Sequence, residues 1–213
     1  MRVEVNEEPI TALEEYAGIS IAFEVGVVFD VAQADGRLGA FILTERSLNA
    51  PYVKDYDAIE GERPSDWAKR FDVSNWGLFA ALADSRRVGG AIVAFKTPGL
   101  EMLEDRADLA VLWDIRVSPE ARGKGVGSAL FRAAEAWAKA KGCRQLKVET
   151  QNINVAACRF YTRHGCILTS VRHFAYPGLP DETQLLWHKD LHFDSPAGRS
   201  PTSMTRSHDP SCT

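Results

Sequence analysis

Residues 117–128 read Val-Ser-Pro-Glu-Ala-Arg-Gly-Lys-Gly-Val-Gly-Ser. Gly123, Gly125 and Gly127 let neighbouring backbone N–H groups converge without Cβ interference. A strand-like stretch leads in through Val117 and a helix-periodic stretch leads out. The unsatisfied donors and partial positive charge of a helix N-terminus therefore fall at this loop. Arg122 and Lys124 add full charges. This is chemistry for an anion, and a pyrophosphate suits it. A Walker A loop, G-x-x-x-x-G-K-[ST], fails because Lys124 precedes the last glycine. The dinucleotide fingerprint G-x-G-x-x-G fails because Ser128 stands where its third glycine would. What remains is R-x-x-G-x-G, carried by Arg122, Gly125 and Gly127.

The elements that must position this loop follow from local pattern. Residues 109–117 read as the strand before it, ending at Ser118-Pro119. Residues 125–141 follow it as a helix, with Val126, Ala129, Leu130, Ala133, Ala134 and Trp137 on one face and Gly142 as the stop. Residues 144–151 alternate as a strand, with Leu146, Val148 and Thr150 on one face and Lys147, Glu149 and Gln151 on the other. Asn154 reads as the N-cap of a helix running through His164, ended by Gly165. Upstream, residues 19–31 read as a strand followed by turn chemistry at Ala34-Asp35-Gly36. Residues 50–76, acidic and aromatic, read as loop plus a short helix after Pro64-Ser65, with Ser65 or Asp66 as its cap. Strands over 77–83 and 88–96 are joined by a turn at Asp84-Ser85-Arg86-Arg87. Residues 166–176 and 183–191 read as two further strands. The order predicts a mixed α/β (α+β) domain over residues 1–193. A Ser/Thr/Pro/Gly-rich tail over 194–213 reads as disordered.

Composition narrows the class. Of 213 residues, 45% are hydrophobic and 25% charged, an ordinary globular balance, and the formal net charge is −4. No basic run supplies the footprint of nucleic-acid binding. No apolar stretch reaches the roughly 18 residues of a membrane span. The acidic N-terminus lacks the order of a signal peptide, so the expectation is a cytoplasmic protein. Cys143, Cys158, Cys166 and Cys212 show no metal spacing, and the five histidines are scattered, so no metal is expected.

Two motifs together carry a resemblance. The segment VSPEARGKGVGSAL resembles the pyrophosphate motif of GNAT acetyltransferases. Some 30 residues on, Asn154, Ala157, Phe160 and Tyr161 form N-x-x-A-x-x-F-Y, similar to the second acetyl-CoA motif of that family. More narrowly, VETQNINVAACRFY and the Tyr-Val-Lys-Asp-Tyr-Asp run at 52–57 look like streptothricin acetyltransferases. The resemblance covers roughly residues 50–190 and departs at Gly165-Cys166, where these enzymes usually carry Gly-Phe. It implies the GNAT acyl-CoA N-acyltransferase fold, a twisted, mostly antiparallel sheet with splayed central strands flanked by helices. Acetyl-CoA would enter the gap as cosubstrate. Ile115 and Val117 would pair with the pantetheine. Arg122, Gly123, Lys124, Gly125, Val126, Gly127 and Ser128 would hold the pyrophosphate, and Asn154, Ala157, Phe160 and Tyr161 would complete the site. Dimers are frequent in the superfamily, so a homodimer is implied as well.

Acetyl transfer to an amine needs a free amine, a polarised carbonyl and a proton for the leaving thiolate. An alkylamine of pKa near 10.4 is only about 0.04% free at pH 7, a penalty of roughly 4.6 kcal/mol. Asp114 and Glu149, on the two strands that would splay, are equal candidates for the base, against the plainer reading of solvated or ion-paired carboxylates. Tyr161 is the candidate acid. A covalent acyl-cysteine lacks a supporting histidine pattern, which favours direct attack in a ternary complex. The acidic aromatic stretch 52–76 is either the acceptor pocket or a surface loop. The leading expectation is N-acetylation of a small cationic acceptor such as a streptothricin-type antibiotic. Acetylation of a peptide or protein amine, and a non-catalytic acyl-CoA sensor, stand as alternatives.

Overall fold

The computed structural model describes residues 2–34 and 41–191. The turn expected at Ala34-Asp35-Gly36 falls partly, and Cys212 and the tail wholly, outside the described residues. Among the described residues nine strands and four α-helices occur in the order β1 (Glu4–Glu8), α1 (Leu13–Ala17), β2 (Phe23–Gln33), β3 (Phe41–Lys54), α2 (Pro64–Arg70), β4 (Gly77–Ala83), β5 (Arg86–Ala94), β6 (Leu109–Val117), α3 (Val126–Ala140), β7 (Gln145–Gln151), α4 (Val155–Arg163), β8 (Ile167–Arg172) and β9 (Gln184–Asp190). Seven strands form one sheet ordered β1-β4-β5-β6-β7-β9-β8, and β2 and β3 form a separate hairpin. Every pairing is antiparallel except β6 with β7.

The parallel pair is short. Leu109–Leu112 pair with Gln145–Val148, and beyond that point the two strands part. β6 runs on to Val117 and β7 to Gln151 with no partner across the gap. A bulge marks the parting: Ile92 faces Asp114 and Val93 faces Leu112, so Trp113 is an extra residue. A bulge inverts the alternation of inward and outward side chains. Before it, Ala110 and Leu112 face the α3/α4 side; after it, Ile115 and Val117 do. Val111, Trp113, Asp114 and Arg116 thereby share the opposite face.

Two cores sandwich the sheet. Under α3 and α4, Val126, Leu130, Phe131, Ala134, Trp137 and Ala138 meet Ala110, Leu146 and Val148. The expected helix face is rotated slightly: Phe131 and Ala138 point in, while Ala129 and Ala133 lie half-buried. On the other side, Leu13 and Tyr16 of α1 and Trp67 of α2 pack with Trp76, Leu78 and Ile92. Trp113 closes this cluster, its ring 5.6 Å from those of Phe71 and Trp76.

Several expected boundaries move. β2 starts at Phe23 rather than residue 19, because Ile19 and Ala22 lie in a link whose carbonyls accept from Arg116 and Arg122. β1 and β3 occupy stretches with no strand pattern of their own, and are made by pairing with β4 and β2. Neither Ser65 nor Asp66 caps α2: the N-cap is Arg63, with Pro64 as the first helical residue and no side-chain cap bond. Proline suits that position, since its missing N–H would have no helical partner. The β4–β5 turn places Asp84 and Ser85 at φ 48° and 61°, the two-residue hairpin turn that matches strand twist.

Candidate active site

The anion loop lies where β6 ends and α3 begins. Gly123 and Gly125 sit at φ 73° and 85°, with open space where a Cβ would stand. The first backbone bond into α3 runs from the Ala129 N–H to the Gly125 carbonyl. The amides of Val126, Gly127 and Ser128 therefore stand at the helix start without helical partners. Gly127 faces α4, and a Cβ there would meet the Phe160 ring at 3.4 Å, the edge of ordinary contact. Ser128 Oγ bonds His164 Nε2 at 3.0 Å, a tie between these helices. Lys124 is exposed. Arg122, expected among the anion ligands, uses its Nε and one terminal nitrogen to donate to the Val117 and Ala22 carbonyls, at 3.0 and 2.8 Å. It clamps the loop to the link before β2 and retains its remaining donors.

From Trp113 to Val117 one edge of β6 has no strand partner among the described residues, and apart from the Val117 carbonyl, which Arg122 engages, its main-chain groups can pair with an extended ligand. Ile115 and Val117 are half-buried on the α3/α4 side. Across the gap, Asn154 caps α4, its Oδ1 accepting from the Ala157 N–H at 3.1 Å. Ala157 and Phe160 are half-buried, and Tyr161 is only 4% exposed, packed against Phe131 and Phe160. Burial, reinforced by Asp114, pushes the Tyr161 phenol well above its ordinary range, so it keeps its proton at neutral pH. The parted strands, the glycine loop and the helix start together fit a pyrophosphate on an extended pantetheine chain.

The two candidate carboxylates prove unlike. Asp114 accepts from Arg116 Nε at 2.6 Å, and the same guanidinium grips Asp57 with both terminal nitrogens at 2.6 and 2.9 Å. Burial pushes Asp114 up, Arg116 pulls it down, and the Asp57 charge pushes it up again. Tyr16 lies over the guanidinium at 5.3 Å with its hydroxyl buried and without a well-aligned partner. Asp114 is thus a member of an ion-paired cluster that ties β6 to the turn at Tyr56–Ala58 and to the Ile19 carbonyl.

Among the described residues Glu149 makes no ion pair, and the Lys147 charge only pulls its carboxyl down from a distance. Gln184 Nε2 donates to it at 2.8 Å, Gln151 Nε2 at 3.3 Å, and the Tyr176 hydroxyl through a short bond. Burial pushes its carboxyl above the usual range against these donors. Lys147, its neighbour along the strand, is buried and pairs with Glu104 at 2.6 Å. The Tyr56 hydroxyl stands 2.9 Å from both Gln151 Oε1 and Glu182 Oε2, which share its one proton. The turn carrying Tyr56 and Asp57 thus spans the gap, Asp57 reaching β6 and Tyr56 reaching β7.

Sequence reasoning missed Tyr16, which α1 brings against Arg116, and Tyr176, Glu182 and Gln184, which sit in no motif and are brought in by β9 and the loop before it. Of the aromatics in 52–76, Trp67 and Trp76 are core, and only Tyr52 and Tyr56 adjoin the polar cluster. Cys143, Cys158 and Cys166 are buried thiols pushed up to about 11 by burial. None is a thiolate near neutrality.

A model of the acetyltransferase (GNAT) family matches residues 43–166. The chain belongs to that family. A streptothricin acetyltransferase of Escherichia coli is 32% identical over 169 residues, spanning 78% of this chain and 84% of the relative. Streptothricin acetyltransferase A of Bacillus subtilis (strain 168) is 28% identical over 152 residues, 70% of this chain and 80% of its own. Among solved structures, one described as a streptothricin acetyltransferase of Bacillus anthracis str. Ames in complex with acetyl coenzyme A superposes with a TM-score of 0.70 at 22% identity. It covers 89% of this chain and 99% of that one. The GNAT protein is an acetyl-CoA-dependent N-acetyltransferase, and the splayed sheet is the GNAT fold. No helix among the described residues is long and apolar enough to cross a membrane.

Proposed function

We propose that this acetyltransferase moves the acetyl group of acetyl-CoA onto a primary amine of a small cationic acceptor of the streptothricin type. The observation that carries the reading is Glu149: a half-buried carboxylate at the gap, held by three neutral donors and in no ion pair among the described residues. Such a group attracts an ammonium and takes its proton. The relatives named for streptothricin supply the acceptor class.

Acetyl-CoA, when bound, supplies an activated thioester. The α3 amides of residues 126–128 and Lys124 would hold its pyrophosphate, and the open edge of β6 its pantetheine. Glu149 sits on the face opposite this loop, so the acceptor approaches from the Tyr56–Asp57 side while the thioester lies in the gap. Glu149 removes the ammonium proton. Tyr161, kept neutral by burial, donates a strengthening hydrogen bond to the leaving sulfur. Attack is direct, since the buried cysteines are protonated thiols. Asp114 acts as scaffold, tied to Arg116. We place the protein in the cytoplasm, where acetyl-CoA is made, and expect a homodimer, which sedimentation tests.

Thiol release from acetyl-CoA, followed across streptothricin, aminoglycosides, simple polyamines and peptides, tests the reading. Turnover confined to streptothricin and related polycations is the expected result. Turnover with peptides alone would replace the acceptor class.

A further inference from the structure

Lys54, the last residue of β3, places its ammonium against Glu182, with the two side chains 13% and 7% exposed. The same nitrogen stands 4.8 Å from the centre of the Tyr56 ring. The Tyr56 hydroxyl bonds the other oxygen of Glu182 at 2.9 Å. A carboxylate beside an aromatic face is how proteins recognise alkylammonium ions. Here the ammonium comes from the chain itself. We propose that the Glu182–Tyr56 cage is a second ammonium subsite, filled by Lys54, which a diamine or polyamine acceptor displaces on binding.

Three features support this. First, the cage belongs to the polar network of Glu149, through Tyr56 and Gln151. Glu149 and Gln151 are two residues apart on one strand, about 6.6 Å, and Glu182 lies one Tyr56 hydroxyl beyond. A diamine long enough to span this network can therefore set one amine at Glu149 and the other at Glu182. Second, exchange of one ammonium for another keeps Glu182 paired, whereas leaving it buried and unpaired is costly. A monoamine engaged at Glu149 has no second charge to offer, so it cannot displace Lys54. Third, Tyr52, two residues before Lys54 and on the same strand face, is 44% exposed, and among the described residues β3 pairs only with β2. A long flexible side chain on such a strand can swing out without disturbing the core.

The inference rests on the proposed acetylation of an amine at Glu149. Its test compares kcat/KM for an α,ω-diaminoalkane with that for the alkylamine of the same length. Lys54→Met should raise the diamine-to-monoamine ratio about tenfold, and Glu182→Gln should lower it about tenfold, the loss of one charge-assisted contact. Lys54→Arg should hold the ratio near that of the wild type. Equal changes with both amines in the first two variants would overturn the subsite and leave Lys54 a purely structural cation. Where Lys54→Met melts early, Lys54→Gln carries the same ratio test. A wild-type protein that releases no thiol with any amine would instead sink the acceptor reading itself.

Discussion

On the α3/α4 face the groups proposed to hold the pyrophosphate come from one unbroken stretch, residues 117–128, and are mostly main-chain amides. On the opposite face they are side chains drawn from separate segments: Tyr16, Lys54 to Asp57, Asp114 and Arg116, Glu149 and Gln151, and Tyr176 to Gln184. A site made of backbone is specified by where glycine is allowed and where a helix starts. It tolerates most side-chain changes. A site made of side chains is specified by the whole fold, and each member can be varied to change the acceptor. The difference accords with a common cosubstrate on one face and a particular acceptor on the other.

The largest expected effect lies on the side-chain face. Glu149→Gln should lower kcat roughly 100- to 1,000-fold, the usual worth of a general base. Asp114→Asn should act mainly on stability. Equal kcat losses in both variants would return Asp114 to the chemistry. Wild-type kcat/KM should rise with pH through a carboxyl displaced upward by burial, and that limb should vanish in Glu149→Gln. The stability effect has the opposite sign. A carboxyl raised in the folded state favours folding below its unfolded value, near 4.3, and that advantage is lost as pH rises through the folded value. Glu149→Gln removes the cost of burying the charge. Its melting temperature at pH 7 should therefore rise, by about 2–4 °C for each kcal/mol recovered.

Next in size is the strap across the gap. Asp57→Ala leaves the Arg116 guanidinium, 1% exposed, with a single carboxylate. Removing one partner of a buried pair costs about 3 kcal/mol, or roughly 6–12 °C in melting temperature for a chain of this length. The loss should lower affinity for the acceptor more than for acetyl-CoA, because the strap lies on the acceptor face. A matching loss for both ligands would mean that the two faces are not independent.

The same division explains what the sequence disclosed. β6, α3, β7 and α4 were legible almost to the residue, because each carries its own pattern: the Ser118-Pro119 stop, the apolar stripe of α3, the alternation of β7, and the Asn154 cap. β3 ends inside the stretch 50–76 that reads as loop plus a short helix, and its pairing with β2 is what makes it a strand. β1 was invisible for the same reason, an acidic edge strand defined by β4. Lys147 was placed on a polar strand face with Glu149, yet it is buried against Glu104, a residue 43 positions away with its own left-handed φ of 53°. The equality of Asp114 and Glu149 could not be broken in sequence, since Arg116 neighbours one and Lys147 the other, and only the fold pairs Lys147 with Glu104 instead. Nothing in the spacing of Tyr176, Glu182 and Gln184 points to Glu149; β9 brings them there.

On the backbone-built face the glycines should matter more than the charges. Gly125→Val forces a β-branched residue to φ 85°, a conformation such residues rarely adopt. It should raise KM for acetyl-CoA about 10- to 100-fold, the effect of losing aligned amides worth about 1.4–2.7 kcal/mol. Acceptor KM should move little.

Lys124→Ala is the sharper probe because its expected effect is small. Lys124 is exposed, and an exposed charge contributes about 0.2–1 kcal/mol. Screening reduces that further at physiological salt, where the Debye length is about 8 Å. KM for acetyl-CoA should therefore rise about two- to fivefold at low salt, and the gap between variant and wild type should narrow as salt is added. An amide cradle predicts this, because the aligned N–H groups of residues 126–128 remain when the ammonium is gone. A 100-fold, salt-insensitive loss would mean that the loop binds through its side chain after all. Both faces of the gap would then be built alike.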